Sequence, residues 1–338
     1  MRARSGRPRR GLRPLRSSPR RARRARARTI LVYHPEPGEA WAYARLIPRT
    51  RGFRAVACVT PAEAARAIGD AEILYAWNIP VRLLSRAPRL RWFQNMGAGV
   101  ERVLVPELAP DVRVTRVAGI FGPWMAEYTL GWCLWVTQRI ERFRGDQRRR
   151  RWRPVDPRRI SGQILCVVGL GDIGRSIARL ARALGMTVVG VSRSGRPVPG
   201  LDAVHATRDR ARALARADFA VLTVPLTDET RGLIGRRELG AMKPTAWLVN
   251  VARGPIVDGA ALRDALRRRR IAGAVLDVFD AEPLPPGDSL WRMDNVAITP
   301  HISGPSVAGE IAPIFADNLR RYLAGRRLRY EVDRRRGY

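Results

Sequence analysis

Residues 164–174 constrain the fold more than any other part of the chain. Five apolar residues, Ile164 to Val168, run directly into Gly169-Leu170-Gly171-Asp172-Ile173-Gly174. The stretch Asp172 to Leu184 follows, with Ile173, Ile177, Leu180 and Leu184 recurring at helical spacing. That order is strand, glycine turn, helix. Gly169 permits the tight turn, Gly171 lets the backbone approach an anion, and Gly174 lets helix and strand pack closely. The unpaired amides of the helix N-terminus would then face a pyrophosphate. The glycine pattern alone also describes an ordinary strand-to-helix connection, and it is the flanking strand and helix that point to a dinucleotide.

The same alternation extends along the chain. Short apolar runs at Thr29–Tyr33, Ala55–Val59, Ile73–Ala76, Trp92–Gln94 and Val112–Thr115 predict a first β-α series. A second begins with Ile164–Val168 and continues at Thr187–Val191, Phe219–Val224, Trp247–Val251, Ala274–Phe279 and Val296–Thr299, six strands in all. Between them, Trp124–Phe143 predicts one long amphipathic helix, and the basic, proline-bearing segment Arg148–Arg159 predicts a hinge and an arm. Near the end, Ile311, Ile314, Phe315, Leu319, Tyr322 and Leu323 predict a helix that returns the chain to the first series. The expected class is α/β with parallel sheets.

Composition limits the partners. A chain of 338 residues with 46% apolar side chains has room for two cores. No run of eighteen apolar residues occurs, so no membrane span or membrane partner is expected. The net charge of +33 would suggest a polyanion, but Lys243 is the single lysine and arginines are spread through every predicted helix. That distribution reads as coding bias, and nucleic acid is not an expected partner. Residues 1–28 carry thirteen arginines and no acid, which predicts a disordered tail; a misassigned start gives the same pattern. Cys58, Cys133 and Cys166 are odd in number and far apart, and Cys133 and Cys166 lie in apolar surroundings. They suit a reducing compartment, hence a cytoplasmic protein, and no metal site is predicted.

At the end of the second strand of the dinucleotide unit, Ser192-Arg193-Ser194 stands where an NAD site usually carries a ribose-binding carboxylate. A site without that acid does not repel a 2′-phosphate, and Arg193 offers donors to one. NADP(H) is therefore the expected cofactor. NAD(H) is the alternative, since Arg193 is also one exposed arginine among many.

Three segments could carry chemistry: Val249 to Gly254, Leu276 to Pro283, and Ile298 to His301. Each sits at or beyond the C-terminal end of a predicted strand, where doubly wound sheets bind ligands. Arg253, Glu282 and His301 would converge there. Reducing a ketone places negative charge on oxygen, which a guanidinium stabilises and an imidazolium protonates. A carboxylate beside that imidazole favours its charged form.

These segments resemble the D-2-hydroxyacid dehydrogenase family, together with the glycine turn, Pro225 to Arg231, Asp258 and the Gly97-Ala98-Gly99 loop. The resemblance runs from about Ile30 to Leu323, and the spacing of Arg253, Glu282 and His301 matches the family's order. It implies His301 as acid/base, Glu282 as its partner, and Arg253 as the cation on the substrate. The Gly97–Gly99 amides would bind the substrate carboxylate, and Trp77, Met96, Trp124 and Trp291 would wall its pocket. For the cofactor it adds Val224, Pro225, Thr230, Val251, Ala252 and Ser303, with Asp277 near the nicotinamide amide.

The architecture it implies is a Rossmann dinucleotide domain, 125–303 with a dimerisation arm at 125–159, inserted into a flavodoxin-like substrate domain of 29–124 and 304–338. Val188 to Ser194, Phe121 to Tyr128 and Glu282 to Pro286 look most like the glyoxylate and hydroxypyruvate reductase branch, which implies a homodimer acting on a small 2-keto acid. Two other readings stay open at this point: an NADH-dependent D-2-hydroxyacid or phosphoglycerate dehydrogenase, and a dinucleotide-sensing corepressor.

Overall fold

A computed structural model describes residues 27–338; all but the last two residues of the expected tail lie outside them. The first part of the chain forms β1 (Arg28–Tyr33), α1 (Pro37–Arg45), β2 (Phe53–Cys58), α2 (Pro61–Ala67), β3 (Ala71–Ala76), β4 (Trp92–Asn95) and β5 (Arg113–Thr115). Its strands pair in parallel in the order β2-β1-β3-β4-β5. Two helices follow, α3 (Phe121–Thr137) and α4 (Ile140–Arg148). The second part comprises β6 (Ile164–Val168), α5 (Asp172–Ala183), β7 (Thr187–Ser192), β8 (Ala203–Ala206), α6 (Arg210–Arg216) and β9 (Phe219–Leu222). It continues through α7 (Arg236–Ala241), β10 (Trp247–Asn250), α8 (Gly259–Arg267), β11 (Gly273–Leu276) and β12 (Val296–Ile298), and α9 (Ala308–Leu323) comes last.

The second sheet has seven parallel strands in the order β12-β11-β10-β9-β6-β7-β8. Its central strands are covered on both faces, which is why β6, β9 and β11 read as unbroken apolar runs. Strand order reverses at β6, which lies between β7 and β9. A crevice therefore opens beyond the carboxyl ends of β6 and β9, where such sheets bind ligands. Six strands were expected here. The seventh, β8, is a short, half-exposed edge strand containing His205, too polar to register as an apolar run.

The expected single helix over Trp124–Phe143 is broken. Arg139 stands at φ 54°, between α3 and α4. The basic segment returns to this break: Arg158 N–H donates to Thr137 O, Gln138 Nε2 to Arg158 O, and Arg139 Nε to Asp156 O. Those bonds satisfy the helix end that a continuous helix would have satisfied internally.

Helix α9 lies against the first sheet. Phe315 stacks between Tyr75 (4.2 Å) and Trp92 (5.1 Å), and Tyr322 stacks on Trp92. Below them Asn318 donates to Gln94 Oε1, and Trp92 Nε1 donates to Thr115 Oγ1, so these buried polar groups are paired, while the buried Tyr75 hydroxyl has no partner among the described residues. Phe315 is almost fully buried. Phe315→Ala is therefore expected to cost about 3–5 kcal/mol, read as a lower urea midpoint.

All three cysteines are free and buried. No helix among the described residues is long and apolar enough to cross a membrane.

Candidate active site

The carboxyl ends of the two sheets face one cleft of about 780 Å³. The first sheet contributes Trp77, beyond β3, and Gly97, Ala98 and Gly99, beyond β4. The second contributes the turns that follow β6, β7, β9, β10 and β12.

The turn after β6 holds Gly169, Leu170, Gly171, Asp172 and Ile173 on the cleft wall. Gly169 stands at φ 105°, in the left-handed region that favours glycine. A Cβ on Gly174 would lie 2.0 Å from Gly169 O, so Gly174 is the packing point beneath the wall rather than part of it. Gly171 has open space where a Cβ would point, and it precedes the first turn of α5. Thr223 Oγ1 donates to Gly169 O at 2.7 Å and fixes the turn. An open glycine face at the N-terminus of a twelve-residue helix fits a pyrophosphate.

At the end of β7, Ser192, Arg193 and Ser194 line the same cleft. Ser192 Oγ accepts from Gly195 N–H, closing the turn that projects Arg193. Arg193 Nη2 donates to the Tyr338 hydroxyl at 2.8 Å, and Glu229 lies 3.9 Å away. Val224, Pro225, Thr230, Val251, Ala252 and Ser303 line the cleft as well. Thr230 Oγ1 donates to Pro225 O and so shapes the turn beyond β9.

His301 follows β12 with φ 55°, an uncommon conformation for a side chain other than glycine. Asp277, at the end of β11, holds it there. The His301 N–H donates to Asp277 O at 2.9 Å, and the Ile302 and Ser303 amides donate to the Asp277 carboxylate, both at 2.9 Å. Thr299 Oγ1 donates to the same carboxylate and contacts the Tyr128 hydroxyl. His301 Nδ1 lies 2.9 Å from Glu282 Oε2, with the two side chains 40% and 26% exposed. Burial works against the Glu282 charge, but hydrogen bonds from His301 and the Phe279 amide outweigh it. The carboxyl is held below the usual carboxylate range, so Glu282 remains an acceptor for the imidazole.

Arg253 reaches into the cleft from the end of β10. Its Nη1 donates to Ala252 O and its Nε to Glu101 Oε1, each at 2.7 Å. A Cβ on Gly99 would fall 1.8 Å from Arg253 Nη2, and one on Gly97 would strike the Trp77 ring at 2.2 Å. Both glycines are thus demanded by the walls around them. Asn95 Nδ2 donates to the carbonyls of Gly97 and Gly99, drawing those acceptors away from the cleft.

Several expected residues lie elsewhere. Asp277 is fully buried beneath the His301 loop, and the cleft wall does not include it; its carboxylate is taken up by the loop it supports. Met96 is buried in the core. Trp124 is 41% exposed and donates to Glu310; Trp291 is 51% exposed and donates to Pro285 O; neither lines the cleft. The family resemblance that suggested these three side chains for the pocket matches positions along the chain, not the way a side chain turns.

Sequence reasoning missed Asn95, which bonds the Gly97–Gly99 loop, and Glu101, Arg196 and Tyr338, which line the cleft. Glu101 had a visible signal, an acid two residues past the glycine loop in an acid-poor chain. Tyr338 had none, because its place depends on the turn bonded at Asp333 and on the anchoring of Arg334 to Ala109 and Val112.

Comparison with known proteins gives the family. Residues 130–303 match the family model for the NAD-binding domain of D-isomer-specific 2-hydroxyacid dehydrogenases. The chain is 33% identical over 262 residues to a glyoxylate reductase of Thermofilum pendens, covering 73% of this chain and 76% of that one. A D-isomer-specific 2-hydroxyacid dehydrogenase family protein of Aeromonas salmonicida superimposes with a TM-score of 0.85 at 36% identity, covering 91% of this chain and 99% of that one. An NADPH-dependent glyoxylate/hydroxypyruvate reductase of Sinorhizobium meliloti, solved with NADP and sulfate, gives 0.84 at 28% identity, with 92% and 99% covered. The chain belongs to the D-isomer-specific 2-hydroxyacid dehydrogenase family and is an NAD(P)-dependent oxidoreductase. Within that family it falls in the glyoxylate and hydroxypyruvate reductase branch.

Proposed function

We propose that this protein is an NADPH-preferring reductase that converts a small 2-keto acid, of the glyoxylate or hydroxypyruvate type, to the D-2-hydroxy acid. The observation that carries the reading is one cleft lined by His301, Arg253 and the glycine turn after β6, with Glu282 bonded to His301 from behind the wall. A reduced nicotinamide bound there supplies the hydride to the carbonyl carbon. Arg253 and the Gly97–Gly99 amides hold the substrate carboxylate, and the guanidinium stabilises charge growing on the keto oxygen. Glu282 engages Nδ1, which leaves Nε2 of His301 to give a proton to that oxygen. Asp277 acts through the backbone, holding His301 in its left-handed conformation.

The same reading assigns residues 29–124 and 304–338 to a substrate domain and 125–303 to the dinucleotide domain. It makes the protein a homodimer built on the Trp124–Arg159 region, where Ile140, Phe143 and Trp152 are exposed apolar groups. The three buried thiols suit a cytoplasmic protein.

The preference for NADPH rests on the missing carboxylate at Ser192 and on Arg193, and the S. meliloti relative is itself NADPH-dependent. Arg193→Ala is expected to raise the KM for NADPH about tenfold or more, the worth of a charge-assisted hydrogen bond, while the KM for NADH changes little. Steady-state kinetics with both cofactors checks this. An unchanged ratio removes Arg193 from cofactor selection.

A further inference from the structure

Glu101 lines the cleft, and the proposed chemistry does not use it. Glu101 lies two residues beyond the glycine loop, and its Oε1 accepts from Arg253 Nε at 2.7 Å. The partners are 152 residues apart, one in the loop beyond β4 and the other beyond β10, so the ion pair spans the cleft from one sheet to the other. Both side chains are largely covered, at 31% and 25% exposed, which shields the pair from solvent more than a surface ion pair. Burial works against the Glu101 charge, but Arg253 outweighs it and holds the carboxyl below its usual range.

The geometry restricts what Arg253 can do. Nε is held by Glu101 and Nη1 by Ala252 O, which leaves Nη2 against Gly99. A guanidinium held at two nitrogens keeps one orientation, whereas an arginine without such partners samples many rotamers. Anchoring groups placed even slightly wrong lose much of their effect on a reacting substrate. Each of the two cleft side chains assigned to the chemistry thus has a carboxylate bonded to it: Glu282 on His301 and Glu101 on Arg253.

We propose that Glu101 is a positioning residue for substrate recognition: it fixes the Arg253 guanidinium so that Nη2 and the Gly97–Gly99 amides together receive the carboxylate of the 2-keto acid. This rests on the reading of Arg253 as the substrate's anchor.

The test compares the unsubstituted protein with Glu101→Ala and Glu101→Gln. The protein–NADPH complex is titrated with oxamate, an unreactive carboxylate shaped like a 2-keto acid, and NADPH affinity is measured separately. Ala is expected to weaken oxamate binding about tenfold, as loss of a charge-assisted bond does, with NADPH affinity within about twofold. Gln keeps an acceptor for Nε and should recover a substantial part of that loss. In turnover, the defect should fall mainly on the KM for the keto acid.

Glu101→Ala protein that binds oxamate as the unsubstituted protein does overturns the proposal. So does Gln that behaves no better than Ala, or NADPH and oxamate affinities that fall together, because those mark a merely structural role. Unsubstituted protein that binds NADPH but not oxamate overturns the reading of Arg253 itself, and this proposal with it.

Discussion

His301→Ala is expected to lower kcat by about 10²–10⁴-fold, the worth of a positioned general acid, while NADPH binding stays within about twofold. The separation follows from the geometry. Among the described residues the imidazole bonds to Glu282 and not to the glycine turn. The conformation of the loop is held by backbone amides donating to Asp277, and these survive truncation of the side chain. Dinucleotide titration beside single-turnover kinetics measures both quantities. Equal loss of binding and turnover would mean that His301 supports the cleft rather than the reaction.

Arg253→Ala is the second large effect. The side chain carries both proposed tasks, anchoring the carboxylate and stabilising the keto oxygen, so kcat and KM should both suffer. Loss of one preorganised donor at a developing oxyanion costs about 10²–10³-fold in kcat. The change also leaves the Glu101 carboxylate in a covered position without its cation, which adds a structural cost. Arg253→Lys separates the two, since it keeps a charge near Glu101 but cannot present a planar fork. Lysine should restore melting temperature more fully than turnover. Recovery of turnover to near the unsubstituted value would show that charge alone suffices.

The parts of this account that depend on local order were readable in the chain. The glycine turn between Val168 and Asp172 needs only its own strand and helix, and the structure places it at the strand-order reversal. Arg253 and His301 were found from their positions at strand ends, which the parallel sheet then gathers into one cleft. What escaped depends on side-chain direction and distant partners. Asp277 could be placed at the end of its strand, but not aimed beneath the His301 loop instead of into the cleft. Trp124, in the first turn of α3, and Trp291, in the helical turn before β12, are exposed instead of lining the cleft. The break at Arg139 is made by bonds from residues 156–158, which no helical periodicity records. Glu101 meets Arg253 across 152 residues and two sheets, a distance that only the fold closes.

The most direct measurement follows loss of reduced-nicotinamide absorbance when the purified full chain is mixed with NADPH and either glyoxylate or hydroxypyruvate, with His301→Ala alongside. The account predicts oxidation of NADPH matched by formation of the D-2-hydroxy acid, with NADH consumed less efficiently and the substituted protein nearly inactive. No oxidation of either cofactor with either acid, or oxidation undiminished in His301→Ala, would contradict it.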